Sequence, residues 1–462
     1  LCFNLFFFIK IDFFIFLFLV INIIATIFIF FYHKKSYHRV LLLLFMTFAF
    51  PRLSFPIEDT IFQEIFSSFL LSTDRLLVGV LMSCIYGFLF FLEQFYITLK
   101  NNRGKILFLI FICFSAIIFV FLFHNYENYS KLHSILDFSY IINIASLILF
   151  FNNSSNSIQF NIYNGNFYND FITLSKCFAI IISFDIIISL TGFFPHSISY
   201  REGIQGVLYG FELPYSYILG FVCLFFLSSK KFLFFKKIKN HNLLKYFTLL
   251  LFIFLLFLTN IKTSYYALFL VFIFLFFNFI TIKKKKILLL FFSIFFVFNS
   301  TTIVNNNGSL ATRAGINSVY IAKFVDKNYF LGMMPGISQV YLKSNLAEKF
   351  FSENFSLYIQ SRNIRTNEIL ERGSYEGTGS FLPHNMYLCI LMAYGLLTLP
   401  FILSLLYISF KVIFSKEFEN DNYFLIKSFL LFAIIFSFSH PFFVFFEIIF
   451  CLGFLQKTRK FI

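Results

Sequence analysis

Charged residues are scarce in this chain. Only 13% of its 462 residues are Asp, Glu, Lys or Arg, whereas 59% are hydrophobic. Its mean hydropathy is +0.82. A chain with so little charge cannot cover the surface of a water-soluble globule, so the composition excludes that class and indicates a membrane protein.

The seven cysteines lack the spacing of a metal site or of a disulfide framework. No CxxC pair occurs, and none of the cysteines lies in the large polar segment at about 301–382. All of them lie in or beside apolar runs, where cysteine usually packs as a small hydrophobe. The chain also lacks a Walker loop, a dinucleotide fingerprint and a nucleophile elbow.

Most of the charge that is present is positive, with a net value of +15 at pH 7. The basic residues lie in short links between apolar runs, among them Lys34, Lys35, Arg39, Lys100, Arg103, Lys230, Lys231, Lys283 and Lys457. This is the positive-inside pattern of a multi-pass membrane protein, and it argues against a nucleic-acid partner.

At about 20 residues per span, the apolar runs predict an all-α membrane fold of about twelve or thirteen helices. The predicted spans are 13–32, 40–56, 76–98, 106–123, 134–151, 171–194, 214–229, 246–260, 264–281, 287–300, 386–410, 423–439 and 441–455. The first apolar run is long and has no small-x-small exit, so we expect no cleaved signal peptide.

Alternation of sides predicts four regions. They are the N-terminal spans (1–194), a set of spans with two outward turns (195–300), a large outer loop (301–385) and the C-terminal spans (386–462). Residues 152–169 are predicted to form an inside loop. Within the outer loop, apolar residues at helical spacing predict two amphipathic helices that cover the membrane surface, around Ile316, Val319, Tyr320 and Phe324 and around Phe351, Phe355, Tyr358 and Ile359.

Four cationic or potentially cationic residues are predicted on the outer side. Arg201 follows the apolar run that ends near Phe194, and Lys262 lies in a tight turn between two spans. Arg313 begins the large loop and His384 closes it. Each alone is more often an interfacial side chain. Together they suit an anionic ligand, in particular a pyrophosphate, because Arg matches phosphate oxygens and stays charged.

The order of these residues resembles the O-antigen ligase and polymerase family of bacterial surface-polysaccharide assembly. The resemblance rests on Arg201-Glu202-Gly203, on Arg313 at the head of the loop, and on His384-Asn385-x-Tyr387-Leu388 followed by Gly395-Leu396-Leu397. It covers roughly residues 195–410. Departures are Lys262-Thr263-Ser264, where family members often have Ser-Arg, Tyr200 in place of an acid, and Asn317 in place of an aromatic residue.

The resemblance implies transfer of a glycan from undecaprenyl pyrophosphate to an acceptor hydroxyl, without metal, nucleotide sugar or another cofactor. His384 would be catalytic, as a general base or as a pyrophosphate ligand, and Arg201, Arg313 and Lys262 would bind the pyrophosphate. The implied partners are the lipid-linked donor, an acceptor glycan or lipid-linked glycan, membrane lipids and a chain-length regulator. The implied location is the bacterial inner membrane.

Three questions stay open at this stage. We favour a repeat-unit polymerase because nothing points to a lipid A core acceptor, and a ligase is the alternative. A flippase or secondary transporter is the rival class, although the charges cluster at span ends and no internal repeat is evident. Glu93 is either a span-end charge or a member of an intramembrane pair. We expect Asn385 to cap a helix that begins near Met386.

Overall fold

The computed structural model describes residues 17, 20–48, 54–56, 75–101, 104, 131–153, 158–191, 198–199, 203–204, 212–228, 241–258, 262–276, 385–415, 421–438 and 445–459. Within these ranges the chain is almost entirely helical. The helices are α1 (Val20–Tyr32), α2 (Ser36–Phe48), α3 (Val78–Lys100), α4 (Lys131–Asn153), α5 (Ile158–Leu190), α6 (Glu212–Ser228), α7 (His241–Leu258), α8 (Lys262–Phe276), α9 (Met386–Tyr394), α10 (Leu399–Ile413), α11 (Asp421–Ser437) and α12 (Phe445–Arg459).

Two short antiparallel strand pairs correct the expectation of a purely helical chain. They are β1 (Ser54–Pro56) with β2 (Arg75–Leu77), and β3 (Ile198–Ser199) with β4 (Gly203–Ile204). The predicted span 40–56 is therefore wrong at its end, since α2 ends at Phe48 and the last three residues form β1. Pro51 and Pro56 give the physical reason, because proline disfavours helical backbone both at its own position and before it.

Two helical segments among the described residues are long and apolar enough to cross a membrane, by length and composition. They are Met82–Lys100 in α3 and Asn169–Leu190 in α5. The spans predicted at 76–98, 134–151, 214–229, 246–260, 264–281, 423–439 and 441–455 coincide with α3, α4, α6, α7, α8, α11 and α12 to within a few residues. The spans predicted at 106–123 and 287–300, and the loop 301–382, lie outside the described residues.

Helix α5 is longer than predicted. It begins at Ile158 and contains 33 residues, or about 50 Å at 1.5 Å per residue. The prediction that residues 152–169 form a loop is therefore wrong from Ile158 onward. Polar residues can continue a helix beyond the apolar core of a membrane, and a hydropathy count does not detect that extension.

The predicted span 386–410 is two helices rather than one. Gly395 has φ 75° and ψ −173°, a backbone region that is essentially restricted to glycine. A 3-10 turn at Leu396–Thr398 follows, and α10 begins with Pro400 in its first turn. The Thr398 backbone N–H and hydroxyl both donate to the Gly395 carbonyl, at 3.1 and 2.8 Å. These bonds satisfy a carbonyl that the interruption removes from the helix.

Stacked and edge-on aromatic rings join the centre of the bundle. Phe45 of α2 contacts Phe178 of α5 and Phe221 of α6, with ring centroids 5.7 and 6.4 Å apart. Phe171 of α5 lies 6.2 Å from both Phe221 and Phe450 of α12. Helices that are distant in sequence therefore share one aromatic core, in which pairs of this geometry stabilise packing beyond simple burial.

At one end of the bundle, polar side chains join the start of α2 to α3 and α5. Arg39 Nη1 lies 2.8 Å from Glu93 Oε2, and Ser36 donates a hydrogen bond to Glu93 Oε1 at 2.7 Å. His38 Nε2 lies 3.1 Å from Asp170 Oδ2. Glu93 is therefore a member of an ion pair between α2 and α3, and this pair lies near the end of the bundle.

The ends of other helices meet in the same way. Thr98 and Asn153 are hydrogen-bonded at 3.1 Å, and Asn153 also donates to the Gln94 carbonyl at 3.1 Å, so α3 and α4 end together. Lys427 near the start of α11 donates to the Ser415 carbonyl just after α10 at 3.2 Å. We call the end where α2 and α11 begin and α3, α4 and α10 end the basic end.

We predict that Gly395→Ala lowers the free energy of unfolding by about 1–3 kcal/mol, because any side chain is strained at this φ and ψ. Thermal unfolding of the detergent-solubilised protein should show a lower midpoint. Gly104→Ala is the matched control, since a Cβ there would meet nothing within 4 Å. Equal midpoints for the two variants would contradict the proposed need for glycine at the break.

Candidate functional site

The structure describes the surroundings of the predicted site residues more fully than the residues themselves. Arg201, Arg313 and His384 lie outside the described residues. Lys262 is the first residue of α8, and residues 259–261 separate α7 from α8, as expected for the predicted tight turn. The structure does describe α8, which begins at Lys262, and α9, which begins two residues after His384.

Asn385, which follows His384 in the chain, holds the start of α9 in place. Its Oδ1 accepts a hydrogen bond from the Leu388 backbone N–H at 3.0 Å, from an extended backbone with φ −157° and ψ 118°. The predicted helix cap is thus confirmed. Its Nδ2 also donates to the Phe438 carbonyl at 3.2 Å. One side chain therefore caps α9 and joins its start to the end of α11.

Tyr387 strengthens the same junction from inside the bundle. Its hydroxyl oxygen lies 2.8 Å from the hydroxyl of Ser437, and both residues are buried. Its ring lies 4.7 Å from that of Phe438 and 5.8 Å from that of Phe445 at the start of α12. The His-Asn-x-Tyr pattern therefore supplies two residues that fix the helix start after His384.

The starts of α6 and α8 are joined by a pair of buried hydroxyls. Ser216 and Ser264 are fully buried, and their oxygens lie 2.7 Å apart. Ser264 is two residues after Lys262. The hydrogen bond between the two hydroxyls fixes how far α6 and α8 can separate at this level, because buried polar groups are costly when they lose their partners.

Aromatic contacts bring these two junctions to one end of the bundle. Tyr217 of α6 lies 4.9 Å from Phe436 and 5.4 Å from Phe432 of α11, measured between ring centroids. The close approach requires a glycine, since a Cβ at Gly220 would overlap the Phe432 ring. Ser216 and Ser437 directly adjoin these aromatics in sequence. We call the end where α6, α8 and α9 begin and α11 ends the site end.

Two described strands, β3 and β4, flank Arg201 in the sequence. The register pairs Ser199 with Gly203, so residues 200–202 form the connection between β3 and β4. Seven residues, 205–211, then lead to the start of α6. The structure thus fixes the chain on both sides of Arg201, whereas Arg313 has no described neighbour within the large loop.

The electrostatics of the site end favour an anion. Backbone N–H groups at three helix starts point toward it, and each helix start carries a partial positive charge. The first turn of α8 also contains Lys262. The carbonyls at the end of α11 offset part of this field. A phosphate-containing ligand is the chemistry that such an end accepts most readily.

Three buried charged residues did not enter the sequence-based site. Lys176 and Asp185 of α5 and Glu447 of α12 are 7%, 0% and 1% exposed. Lys176 and Asp185 lie within the candidate span Asn169–Leu190, so charge is not confined to span ends. Averaging hydropathy over a whole span concealed both residues, although each interrupts an apolar run in the sequence.

The described part of the chain contains no group of three or more His, Cys, Asp or Glu side chains that could hold a metal ion. Comparison with known protein families, with characterised proteins and with solved structures finds no significant match. The arguments for a function therefore rest on the residues of this chain and on their geometry.

We predict that two substitutions at Asn385 distinguish the contribution of its bond from the Leu388 N–H from that of its bond to the Phe438 carbonyl. Asn385→Ser keeps an oxygen that can cap α9 but loses donation to Phe438, whereas Asn385→Ala loses both. Because a helix cap contributes about 1 kcal/mol, the Ala variant should unfold at the lowest temperature and the Ser variant between it and the parent protein. Thermal unfolding in detergent measures this order. Indistinguishable Ser and Ala variants would remove the cap from the explanation.

Proposed function

We propose that this chain is a multi-pass protein of the bacterial inner membrane. The distribution of polarity supports the proposal. Large apolar side chains are exposed along the described helices, including Phe28, Phe184, Phe247, Phe269 and Tyr407. Serines, asparagines and charged residues are buried between the helices, including Asn143, Ser146, Lys176, Asp185 and Glu447. A protein in water would have the opposite arrangement, whereas lipid favours apolar side chains on the outside.

The two ends of the bundle support the proposed orientation. Helix ends that the positive-inside rule assigns to the cytoplasm contact one another at the basic end. Helix starts that the rule assigns to the exterior contact one another at the site end. A wrong count of spans between two such helices would bring opposite sides into contact, so this agreement favours the basic end as cytoplasmic.

Reporter fusions test the orientation. Fusions at Asn240 and Lys284 should report the cytoplasm, since both positions lie in Lys-rich links, and a fusion at Asn345 should report the exterior. Alkaline phosphatase and green fluorescent protein give complementary signals on the two sides. A cytoplasmic signal at Asn345 would overturn the orientation and every functional statement that depends on it.

The activity that we propose is transfer of an oligosaccharide from undecaprenyl pyrophosphate to an acceptor hydroxyl. The observation that carries it is the convergence of α6, α8 and α9 at the site end, because the chain leaves this end toward Arg201, Lys262 and His384. Arg201 and His384 belong to the motifs on which the family resemblance rests, whereas Lys262 stands where family members often have Ser-Arg. The donor lipid is anionic and lies at the membrane surface, which matches the charge and the position of this end.

In the proposed reaction, the acceptor oxygen bonds to the anomeric carbon while the bond from that carbon to the pyrophosphate oxygen breaks. The pyrophosphate leaves on its lipid with the bonding electrons. Arg201, Arg313 and Lys262 stabilise the charge that develops on it. His384 accepts the proton of the acceptor hydroxyl, a role that suits an imidazole near neutral pH. We favour a repeat-unit polymerase. The alternative is a ligase, which would use lipid A core or another acceptor.

His384 provides the test of this activity. We predict that His384→Ala and His384→Gln, produced at the parental level in a strain without the native gene, make no polymerised or transferred glycan. Lipid-linked glycan should accumulate and be accessible to reagents outside the membrane. Gel analysis of polysaccharide and mass spectrometry of the lipid fraction measure both outcomes. His196→Ala is the matched control. His196 lies between Phe194 and Arg201, in the same predicted outward turn as Arg201, and has no proposed role, so this variant should keep full activity.

Normal long-chain polysaccharide from either His384 variant would remove this residue from the reaction.

A second candidate function, transport of a lipid-linked or soluble substrate, is favoured by the buried charges Lys176 and Asp185 inside α5. Ionisable residues inside a span commonly mark substrate or ion pathways. The same assay separates the two classes. A defective flippase leaves the lipid-linked glycan on the cytoplasmic face, where external reagents cannot reach it.

A further inference from the structure

We propose that the turn between α1 and α2 binds the headgroup of an anionic phospholipid of the inner leaflet, such as phosphatidylglycerol, while α1 contacts one of its acyl chains. The site consists of Lys34, Lys35, Tyr32 and Tyr37 with the exposed stripe of α1. The proposal rests on the membrane orientation proposed above and is independent of the glycan-transfer reaction.

Helix α1 has one face in the bundle and one face of exposed apolar residues. Phe30 is 4% exposed and packs on Tyr86 with ring centroids 5.3 Å apart, and Thr26 donates to Met82 Sδ at 3.1 Å. The exposed residues follow helical spacing at Ile21, Ile24, Phe28 and Phe31, and Phe28 is 66% exposed. The stripe is therefore continuous along the helix rather than a set of scattered side chains.

The length of this stripe matches one leaflet. From Ile21 to Tyr32 the helix rises by about 16 Å at 1.5 Å per residue. Half of a hydrocarbon core of about 30 Å is about 15 Å. An acyl chain along the stripe would thus bring the phosphate of its lipid to the level of the turn that follows Tyr32.

That turn carries two adjacent exposed lysines between two tyrosines. Tyr32 is 69% exposed, and Lys34 and Lys35 are both exposed. Lys35 Nζ lies 3.5 Å from the Tyr37 hydroxyl oxygen and 5.6 Å from the centre of its ring. Tyrosine prefers the interface between lipid and water, and lysine there attracts anionic headgroups. Both residue types therefore favour the same ligand at the same depth.

Two carboxylates in the described part of the chain contact side chains of α2. Glu93 lies 2.8 Å from Arg39, and Asp170 lies 3.1 Å from His38. Arg39 itself is held further by a hydrogen bond to the Phe30 carbonyl at 3.0 Å, with its guanidinium 4.2 Å from the Phe30 ring. These acidic residues thus contact the first turn of α2. Lys34 and Lys35 precede that turn and are exposed, so a lipid phosphate can approach them.

His33 does not add a permanent charge to the turn. Partial burial, followed by the nearby His38 and Arg39, lowers the pKa of His33 below its usual value. Since histidine already titrates near pH 6.5, its imidazole is mostly neutral at pH 7. The cationic attraction for a headgroup therefore comes from Lys34 and Lys35, and these are the residues to substitute.

The experiment compares lipids on the purified full-length protein. Native mass spectrometry in detergent would count bound phosphatidylglycerol and phosphatidylcholine of identical acyl chains at matched concentrations. The parent protein should prefer phosphatidylglycerol. In the double variant Lys34→Gln/Lys35→Gln, the ratio of bound phosphatidylglycerol to bound phosphatidylcholine should fall by about fivefold for each lysine replaced. The variant Lys34→Arg/Lys35→Arg keeps both charges and should retain it.

A matched control removes two other exposed lysines at the basic end. Lys100 ends α3 and Lys411 lies in the last turn of α10, and each follows exposed apolar residues but has no lysine directly next to it in the sequence. Lys100→Gln/Lys411→Gln should keep the preference for phosphatidylglycerol. An equal loss of the phosphatidylglycerol preference in this control would show that general surface charge causes the effect, and it would overturn the proposed site. A parent protein without any preference for phosphatidylglycerol would overturn it as well.

A separate measurement tests the proposed membrane orientation. The reporter fusions at Asn240 and Lys284 identify the cytoplasmic side without reference to lipid binding. If they report the cytoplasm and the lipid preference does not depend on Lys34 and Lys35, the lipid site alone is wrong. The Arg variant also guards against misfolding, because a preference lost with both charges retained would contradict an electrostatic site.

Discussion

The need to pair polar groups inside an apolar bundle is the constraint on which the rest of this structure depends. Apolar surroundings offer no hydrogen bonds, so a polar side chain between helices is most stable when it has a partner within the protein. The partners found here join different helices, as in Ser216 with Ser264, Tyr387 with Ser437, and Arg39 with Glu93. Polar pairing therefore helps to set which helices meet and at what level, while aromatic contacts such as Phe45 with Phe221 pack the centre.

This constraint also concentrates chemistry at the two ends. Near each end, helix starts supply backbone N–H groups and links supply charged side chains, so ligands with phosphate groups are favoured there over the apolar middle. The two ends nevertheless differ. At the basic end, carboxylates on α3 and α5 contact Arg39 and His38 of α2. At the site end, the described contacts are neutral hydroxyl and amide pairs, which leave the field of three helix starts directed outward.

Sequence reasoning was most successful where local chemistry alone decides the structure. Apolar runs predicted most described helices, and a short polar side chain before an apolar run predicted the Asn385 cap. It failed where the structure depends on packing between helices, and where a helix continues through polar residues. The extension of α5 to Ile158 lies outside any apolar run, and the interruption at Gly395 could not be read from hydropathy. The Ser216–Ser264 pair requires knowing that α6 and α8 are neighbours, which no local pattern encodes.

The buried charges of α5 bear on whether this fold catalyses or transports. Lys176 and Asp185 are nine residues apart, which turns them by about half a circle around the helix axis, so they face different neighbours. A transport pathway needs ionisable groups that become accessible in turn from each side, whereas a static enzyme scaffold needs them held by fixed partners. The hydrogen-bonded helix starts at the site end resist the separation that alternating access demands. For this reason we propose catalysis at one surface rather than passage through the bundle.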